Sequence, residues 1–211
     1  MTILTDPVER TLADSLVERT TQEASFKQKV WNTLRDTQSL LSCKSGCSHC
    51  CHHPFFISIL EGTKIYQHLV DRGLWSPSLK TKLQDARDNT VGLDFKMWLL
   101  SNLPCPLLTD GKTCLAYESR PFNCRITLAI SPPELCHNHS LGEDTQILSR
   151  VEALREYHGA ETKLLKRHGA KLVLMPLAEA VLLGAEVSTG KLQIEDVQMV
   201  HYQDVSEATH G

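Results

Sequence analysis

A dense cysteine run between positions 43 and 53, CKSGCSHCCHH, constrains the fold of this chain more than any other feature. Four thiols and three imidazoles are crowded into the run, together with Gly46 and small polar residues that favour turns. A packed core has no need of such a set, which lies on no apolar face. Thiolates two or three residues apart must turn toward one point to share a metal ion. The run therefore predicts a metal site built from turns.

Four further cysteines follow with the looser spacing C-x8-C-x9-C-x11-C, and folding would have to bring them to the run. Soft thiolate ligands select zinc, copper(I) or iron-sulfur clusters over hard cations. Eight thiolates exceed the four of one tetrahedral zinc, so two zinc sites, one cluster with spare thiols, or two clusters are compatible with the sequence. The predicted metal ligands are Cys43, Cys47, Cys50, Cys51, Cys105, Cys114, Cys124 and Cys136.

Disulfide bonding and simple core packing are the two alternatives for these cysteines. Disulfide frameworks are typical of short exported chains, whereas this chain has 211 residues and begins with a segment too acidic for a secretory signal. Scattered cysteines can pack as small apolar residues, but a dense set among glycine, serine and histidine does not fit that role. We therefore expect a cytoplasmic protein with reduced thiols.

The overall composition restricts the class of partner. Hydrophobic residues make up 41% and charged residues 22% of the chain, as in ordinary globular proteins. The net charge of −3 gives no basic surface for nucleic acid, and no apolar run is long enough to span a membrane. The expected partner is an unidentified protein or redox partner, with neither nucleic acid nor membrane involved.

Helical periodicity and helix end signals predict a mainly α fold with little or no β structure, in which helices surround an irregular cysteine-rich core. The segment FFISIL is either a short strand or the start of a helix. The predicted helices cover 7–41, 61–72, 78–102, 145–171 and 174–186. The first of them is one long helix or a helical pair, and the pattern of 78–102 is weakened around Gly92. The predicted core includes Trp31, Leu34, Trp75, Phe95, Trp98 and Leu99.

Prolines and the turn Asp110-Gly111 predict irregular structure or a short hairpin that carries Cys105 and Cys114 on its two arms. We expect three parts in the chain. An N-terminal helical segment (1–42) precedes a cysteine-cluster metal-binding domain (43–140), and a C-terminal helical segment (141–211) packs against that domain.

Two separated motifs, GCSHCCHHPFFISILEGTKI and CPLLTDGKTCLAYESRPFNCR, resemble the YkgJ-type cysteine-cluster family, which is described as zinc- or iron-chelating. The resemblance covers residues 43–136, and Cys136 is similar to the last, looser cysteine of the family. A three-residue first gap and Leu107, where phenylalanine is commoner, depart from the family pattern without removing a ligand. The other matching positions are the four cysteines of the run, Glu61, Cys105, Pro106, Leu108, Cys114, Tyr117, Arg120, Pro121, Cys124 and Arg125.

The resemblance implies a metal centre more directly than an activity. One branch of similar proteins looks like flagellin lysine methylases, which use an iron-sulfur cluster with S-adenosylmethionine. That similarity, with the surplus of thiols, favours an iron-sulfur cluster in a redox or modification-supporting role. A structural zinc module for protein–protein interaction is the first alternative. A methylase-like enzyme is the second, although no glycine-rich loop follows a predicted strand. The sequence does not predict catalytic residues.

Arg120 and Arg125 flank Cys124 and are predicted to bind the cofactor, because guanidinium groups would offset the negative charge of thiolates around a metal. The alternative role is that of ordinary surface or salt-bridging arginines. Histidines beside the cysteines are expected to support the site or face solvent, since thiolates alone fill it. They are His49, His52 and His53, whose neutral imidazoles are alternatively metal ligands. His137 and His139, beside Cys136, could contribute to a zinc motif, but the loop that carries them has an exposed character.

Overall fold

The computed structural model describes residues 41–197 apart from 45, 111, 133–134, 137–146 and 149–150, and also residues 24–26, 28 and 32. Residues 24–26 are helical, but most of the predicted helix over 7–41 lies outside the described residues. The same holds for the predicted core residues Trp31 and Leu34 and for His137 and His139.

Helices dominate the described residues, which confirms the predicted mainly α fold. Short 3₁₀ turns accompany them, for example at His49–His52, Tyr117–Ser119 and Ile194–Asp196. None of the described helices combines the length and the apolar character needed to cross a membrane. The helices are α1 (Ile59–Asp71), α2 (Pro77–Asp88), α3 (Phe95–Ser101), α4 (Phe122–Ile126), α5 (Val151–Arg167) and α6 (Leu177–Ser188).

In the part of the chain that the structure describes, four very short strands form two antiparallel pairs. Strand β1 (Phe56–Ser58) pairs with β4 (Leu174–Pro176), with Phe56 opposite Pro176. Strand β2 (Leu128–Ala129) pairs with β3 (Ile147–Leu148). The first pair brings together the chain segments that lead into α1 and α6, because each of its strands ends directly before one of these helices.

The single helix predicted over 78–102 is two helices, α2 and α3. Gly92 in the break between them has a φ of +77°, a left-handed conformation that interrupts a right-handed helix. Asp94 then begins a new helix, since its carboxylate accepts a 2.7 Å hydrogen bond from the backbone N–H of Met97. The structure therefore differs from the prediction where a glycine and a capping residue follow each other closely.

Helices α1 and α6 cross with their backbones in close contact at two glycines. A Cβ atom added to Gly62 would lie 2.0 Å from the carbonyl oxygen of Ala180, and one added to Gly184 would lie 2.5 Å from the nitrogen of Thr63. The two backbones can touch only because both positions lack a side chain. The main core surrounds this crossing, with fully buried side chains that include Ile57, Ile59, Leu60, Ile65, Leu69, Ala180 and Val181.

A smaller aromatic cluster lies between α4 and α5. The rings of Phe122 and Tyr157 stack with their centroids 4.3 Å apart, and the edge of Phe26 packs against both. Phe122 and Tyr157 are almost completely buried. This cluster anchors the short helix α4, which carries Cys124, to the much longer α5.

The predicted core residues of α3 have different fates. Trp98 and Leu99 are buried as expected, each 8% exposed, whereas Phe95 is 44% exposed. Phe95 shares a helix face with the other two but lies one turn nearer the start of α3. The core therefore ends between the first and second turns of this helix, a boundary that periodicity does not reveal.

Candidate metal centre

The cysteine run folds as a series of tight turns, as its composition predicts. The N–H of Cys47 donates to the carbonyl oxygen of Lys44 (3.0 Å), and that of Cys51 donates to Ser48 (3.0 Å). Gly46 has a φ of +84°, which a side chain would strain. The His49–His52 turn then places Cys50 and Cys51 side by side in one 3₁₀ turn.

Six of the eight predicted ligands line a single cavity of about 340 Å³. The backbone joins the two cysteine groups directly, because the N–H of Cys105 donates a 2.7 Å hydrogen bond to the carbonyl oxygen of Cys51. A bridge between Leu108 and Cys114 closes the short loop that follows, consistent with the predicted hairpin. The lining cysteines are Cys47, Cys50, Cys51, Cys105, Cys114 and Cys124.

Cys43 and Cys136 are not among the lining residues of the cavity. The sulfur of Cys43 accepts a hydrogen bond from the N–H of Ala129 (3.1 Å), at strand β2. Cys136 is buried, and its carbonyl oxygen accepts a hydrogen bond from the Nε2 of His53 (2.9 Å). Burial raises the pKa of both thiols, and the nearby Cys47 and Cys50 add to this rise.

All eight cysteines are free thiols, so the disulfide alternative is wrong for this structure. Across the described part of the chain, no three His, Cys, Asp or Glu side chains have the spacing of metal ligands as they stand. The assignment of all eight cysteines as ligands stays a prediction.

Burial and mutual crowding raise the pKa of four of the lining thiols, those of Cys50, Cys105, Cys114 and Cys124. Burial raises the pKa of Cys105 to about 12. The pKa of Cys50 is raised even further, first by its hydrogen bond to the Cys51 thiol and then by burial. For Cys124, burial and the neighbouring Cys105 raise the pKa well above its ordinary value. A bound cation reverses this effect, because thiolates near a metal ion are stabilised instead of repelled.

The two predicted cofactor-binding arginines occupy different positions. Arg120 lines the cavity, and its guanidinium lies 4.0 Å from the centre of the Tyr117 ring. Its Nε is buried without a hydrogen-bond partner among the described residues, and its charge partly offsets the raised pKa of Cys50 and Cys114. Arg120 therefore brings positive charge to the predicted ligands. Its role as a cofactor-binding residue stays a prediction.

Arg125 is not among the residues that line the cavity. Its Nε donates to the carbonyl oxygen of Arg120 (2.8 Å), and its guanidinium also donates to the carbonyl oxygen of Glu118. These bonds tie α4 to the turn before it. Arg125 thus supports the segment from which Arg120 extends, although its charge also lowers the pKa of Cys114.

The histidines of the run lie outside the lining of the cysteine cavity. His53 instead contacts the Cys136 carbonyl and lines a second cavity of about 220 Å³. His49 and His52 are half-buried in the 3₁₀ turn. The supporting role of these histidines stays a prediction.

The sequence singled out Glu61 only as a position of the family pattern and did not predict its buried carboxylate, whose charge acts on Cys124. Glu61 is only 3% exposed, and its Oε1 accepts hydrogen bonds from the N–H of Phe122 (2.7 Å) and the hydroxyl of Tyr157 (3.3 Å). Its Oε2 accepts one from the N–H of Ser58 (3.3 Å), completing a capping box at the start of α1. The S-x-x-E signature was visible in the sequence, but the contact with Phe122 was not.

The cysteine-containing part of the chain matches a known family. Residues 42–154, more than half of the 211, fit the family model CxxCxxCC, described as "Putative zinc- or iron-chelating domain". The chain belongs to this family. The CxxCxxCC match confirms the zinc- or iron-chelating family that the two motifs resemble and supports metal binding, without distinguishing zinc from iron. The YkgJ-type branch and the similarity to methylases stay predictions. No curated protein and no solved structure matches the chain at a significant level.

The CxxCxxCC region does not contain every residue that shapes the site. Leu177, the first residue of α6, lines the cysteine cavity, and Tyr157 donates to Glu61. Both lie beyond residue 154, where the family match ends. The C-terminal helices therefore contribute directly to the surroundings of the cysteines.

Proposed function

We propose that this chain holds an iron-sulfur cluster in the cysteine cavity, in a redox or modification-supporting role. The observation that carries the proposal is the arrangement of six free thiols around one cavity of about 340 Å³. A water molecule takes up about 30 Å³ of liquid volume, so the cavity has room for a group of many atoms. A single zinc ion would use four thiolates and leave most of this space empty.

The donor set fits a cluster, which needs four thiolates. We propose that the four come from the six lining cysteines and that Cys43 and Cys136, which lie outside the lining, are spare. Arg120 would offset the negative charge of the ligated centre from the cavity wall. The free thiols suit the cytoplasm, which keeps cysteines reduced.

A bound cluster supplies reversible electron transfer, and the residues of this chain supply the surroundings. Apolar Phe55 and Leu177 are part of the cavity lining. These two residues and Cys105 also line the second cavity, of about 220 Å³, whose wall is mostly apolar. A small substrate in that second cavity would lie directly beside the centre, which supports the modification role.

Two cysteine variants test the position of the centre. The full-length chain and its Cys124→Ser and Cys136→Ser variants are purified without oxygen, and their iron and zinc contents are measured. We expect Cys124→Ser to lose most of the metal and Cys136→Ser to keep most of it. Full metal content in Cys124→Ser, or an equal loss in both variants, would contradict the proposal.

A structural zinc module that binds a partner protein is the second candidate, and one observation favours it. Several large apolar side chains in and beside α3 are exposed to solvent, as in interaction surfaces. They are Val91 (45% exposed), Phe95 (44%), Met97 (56%) and Leu100 (53%). A colourless protein with stoichiometric zinc, unfolded by a chelator, would support this candidate over the first.

A further inference from the structure

The carboxylate of Glu61 connects three elements behind the cysteine cavity. Glu61 belongs to the first turn of α1. Its Oε1 accepts hydrogen bonds both from the N–H of Phe122, at the start of α4, and from the hydroxyl of Tyr157, on α5. Its exposure of 3% makes it one of the few buried charged groups among the described residues. A buried carboxylate is costly unless it is hydrogen-bonded, so these contacts account for its presence.

Helix α4 depends on an external partner for its first N–H groups. The helix has five residues, and its N-cap residue, Pro121, makes no side-chain capping bond. The N–H groups of the first turn have no partner within a helix and need one from outside. Glu61, 61 residues earlier in the chain, is this partner for Phe122, whose N–H donates a 2.7 Å hydrogen bond to the carboxylate. Cys124 follows Phe122 by two residues, so the carboxylate anchors the turn that presents this thiol.

We propose that Glu61 is a positioning residue that holds Cys124 in place for the metal centre. This inference rests on the proposed function, because it presumes that Cys124 binds the metal. Glu61 does not act on Cys124 by charge attraction, because a carboxylate disfavours a neighbouring thiolate. Its charge adds to the raised pKa of Cys124. The residue acts through its hydrogen bond to α4.

Three substitutions separate position from charge. Glu61→Gln keeps a carbonyl oxygen for the Phe122 N–H and removes the charge. Glu61→Met keeps the length and removes the acceptor. Glu61→Asp keeps the charge but is shorter by one carbon–carbon bond, about 1.5 Å, and withdraws the oxygen. Gly184→Ala is the matched control, because it loosens the α1–α6 crossing beside Glu61 without removing the carboxylate.

The measurement is the rate at which each full-length protein, purified without oxygen, releases its metal to an excess of chelator. Thermal unfolding of the same samples gives the loss of stability. We expect release to be about tenfold faster or more for Glu61→Met and Glu61→Asp, the usual scale for residues that orient metal ligands. Glu61→Gln should stay within about twofold to threefold of the wild type.

The outcomes distinguish the inference from the proposed function. A wild-type protein without metal would refute the proposed function itself. A metal-loaded wild type with wild-type release rates in Glu61→Met and Glu61→Asp would refute only the role of Glu61. The role of Glu61 would also be refuted if Gly184→Ala released metal as fast as Glu61→Met while losing the same amount of stability. If Glu61→Met fails to fold, Glu61→Asp decides alone.

Discussion

The backbone N–H of Cys105 donates a 2.7 Å hydrogen bond to the carbonyl oxygen of Cys51. This bond joins the cysteine run to the second cysteine group, 54 residues further along the chain. It holds two lining cysteines of the cavity together without using either sulfur atom. The thiols therefore stay available for a metal while the backbone keeps them adjacent.

The close crossing of α1 and α6 predicts a large loss of stability on adding a methyl group. Gly62→Ala would place Cβ 2.0 Å from the carbonyl oxygen of Ala180, so the helices must separate. We expect the free energy of unfolding to fall by about 2 kcal/mol or more, as in overpacked cores. Urea unfolding at equilibrium measures this change.

Gly159→Ala is the control for that experiment. Gly159 lies within α5, and an added Cβ meets no atom within 4 Å. Alanine is the better helix former by about 1 kcal/mol, so this variant should be as stable as the wild type or more stable. Equal destabilisation by both substitutions would contradict the close crossing.

Removing the charge of Arg120 should change the electronic properties of the centre more than its stability. Arg120→Gln removes a positive charge from the cavity wall. The reduced state of the centre, which is the more negative one, is then stabilised less. We expect the midpoint potential of the bound cluster to shift downward, as measured by redox titration of the visible absorption. Arg72→Gln is the control, since Arg72 forms an exposed ion pair with Glu118. An equal shift in both variants would exclude a special role for Arg120.

The buried thiols predict that the metal-free protein loses stability in alkaline solution. The pKa of Cys105 is raised by burial from about 9 to about 12 in the folded state. The folded protein therefore binds more protons than the unfolded chain over this interval, so the free energy of unfolding falls as pH rises. The contribution of Cys105 is fully present below about pH 9 and is lost as the pH passes through about 12.

Urea unfolding of reduced, metal-free protein between pH 8 and about 11 tests this dependence. Cys105→Ala should have a shallower decline in stability with pH than the wild type, because one thiol that must ionise on unfolding is gone. Parallel declines in the two proteins would show that Cys105 does not titrate as the structure indicates.

The local pattern of the sequence was sufficient for the mainly α fold and for a turn-rich metal-binding region. Helix periodicity, Gly46 and the cysteine spacing are all local signals. Which cysteines line the cavity and which do not could not be predicted from the sequence. This depends on long-range contacts such as the hydrogen bond between the backbones of Cys105 and Cys51. The hydrogen bond between Glu61 and Phe122 depends likewise on two helices meeting in three dimensions. The split at Gly92 was only partly visible, as a weak point in a helix pattern.

The most direct test of the metal centre is the elemental composition of the wild-type chain purified without oxygen. Iron, zinc and acid-labile sulfide are measured per chain, together with the visible spectrum. We predict a brown protein with about four irons and an equal amount of sulfide per chain. A colourless protein that contains stoichiometric zinc, or no metal at all, would contradict the iron-sulfur assignment.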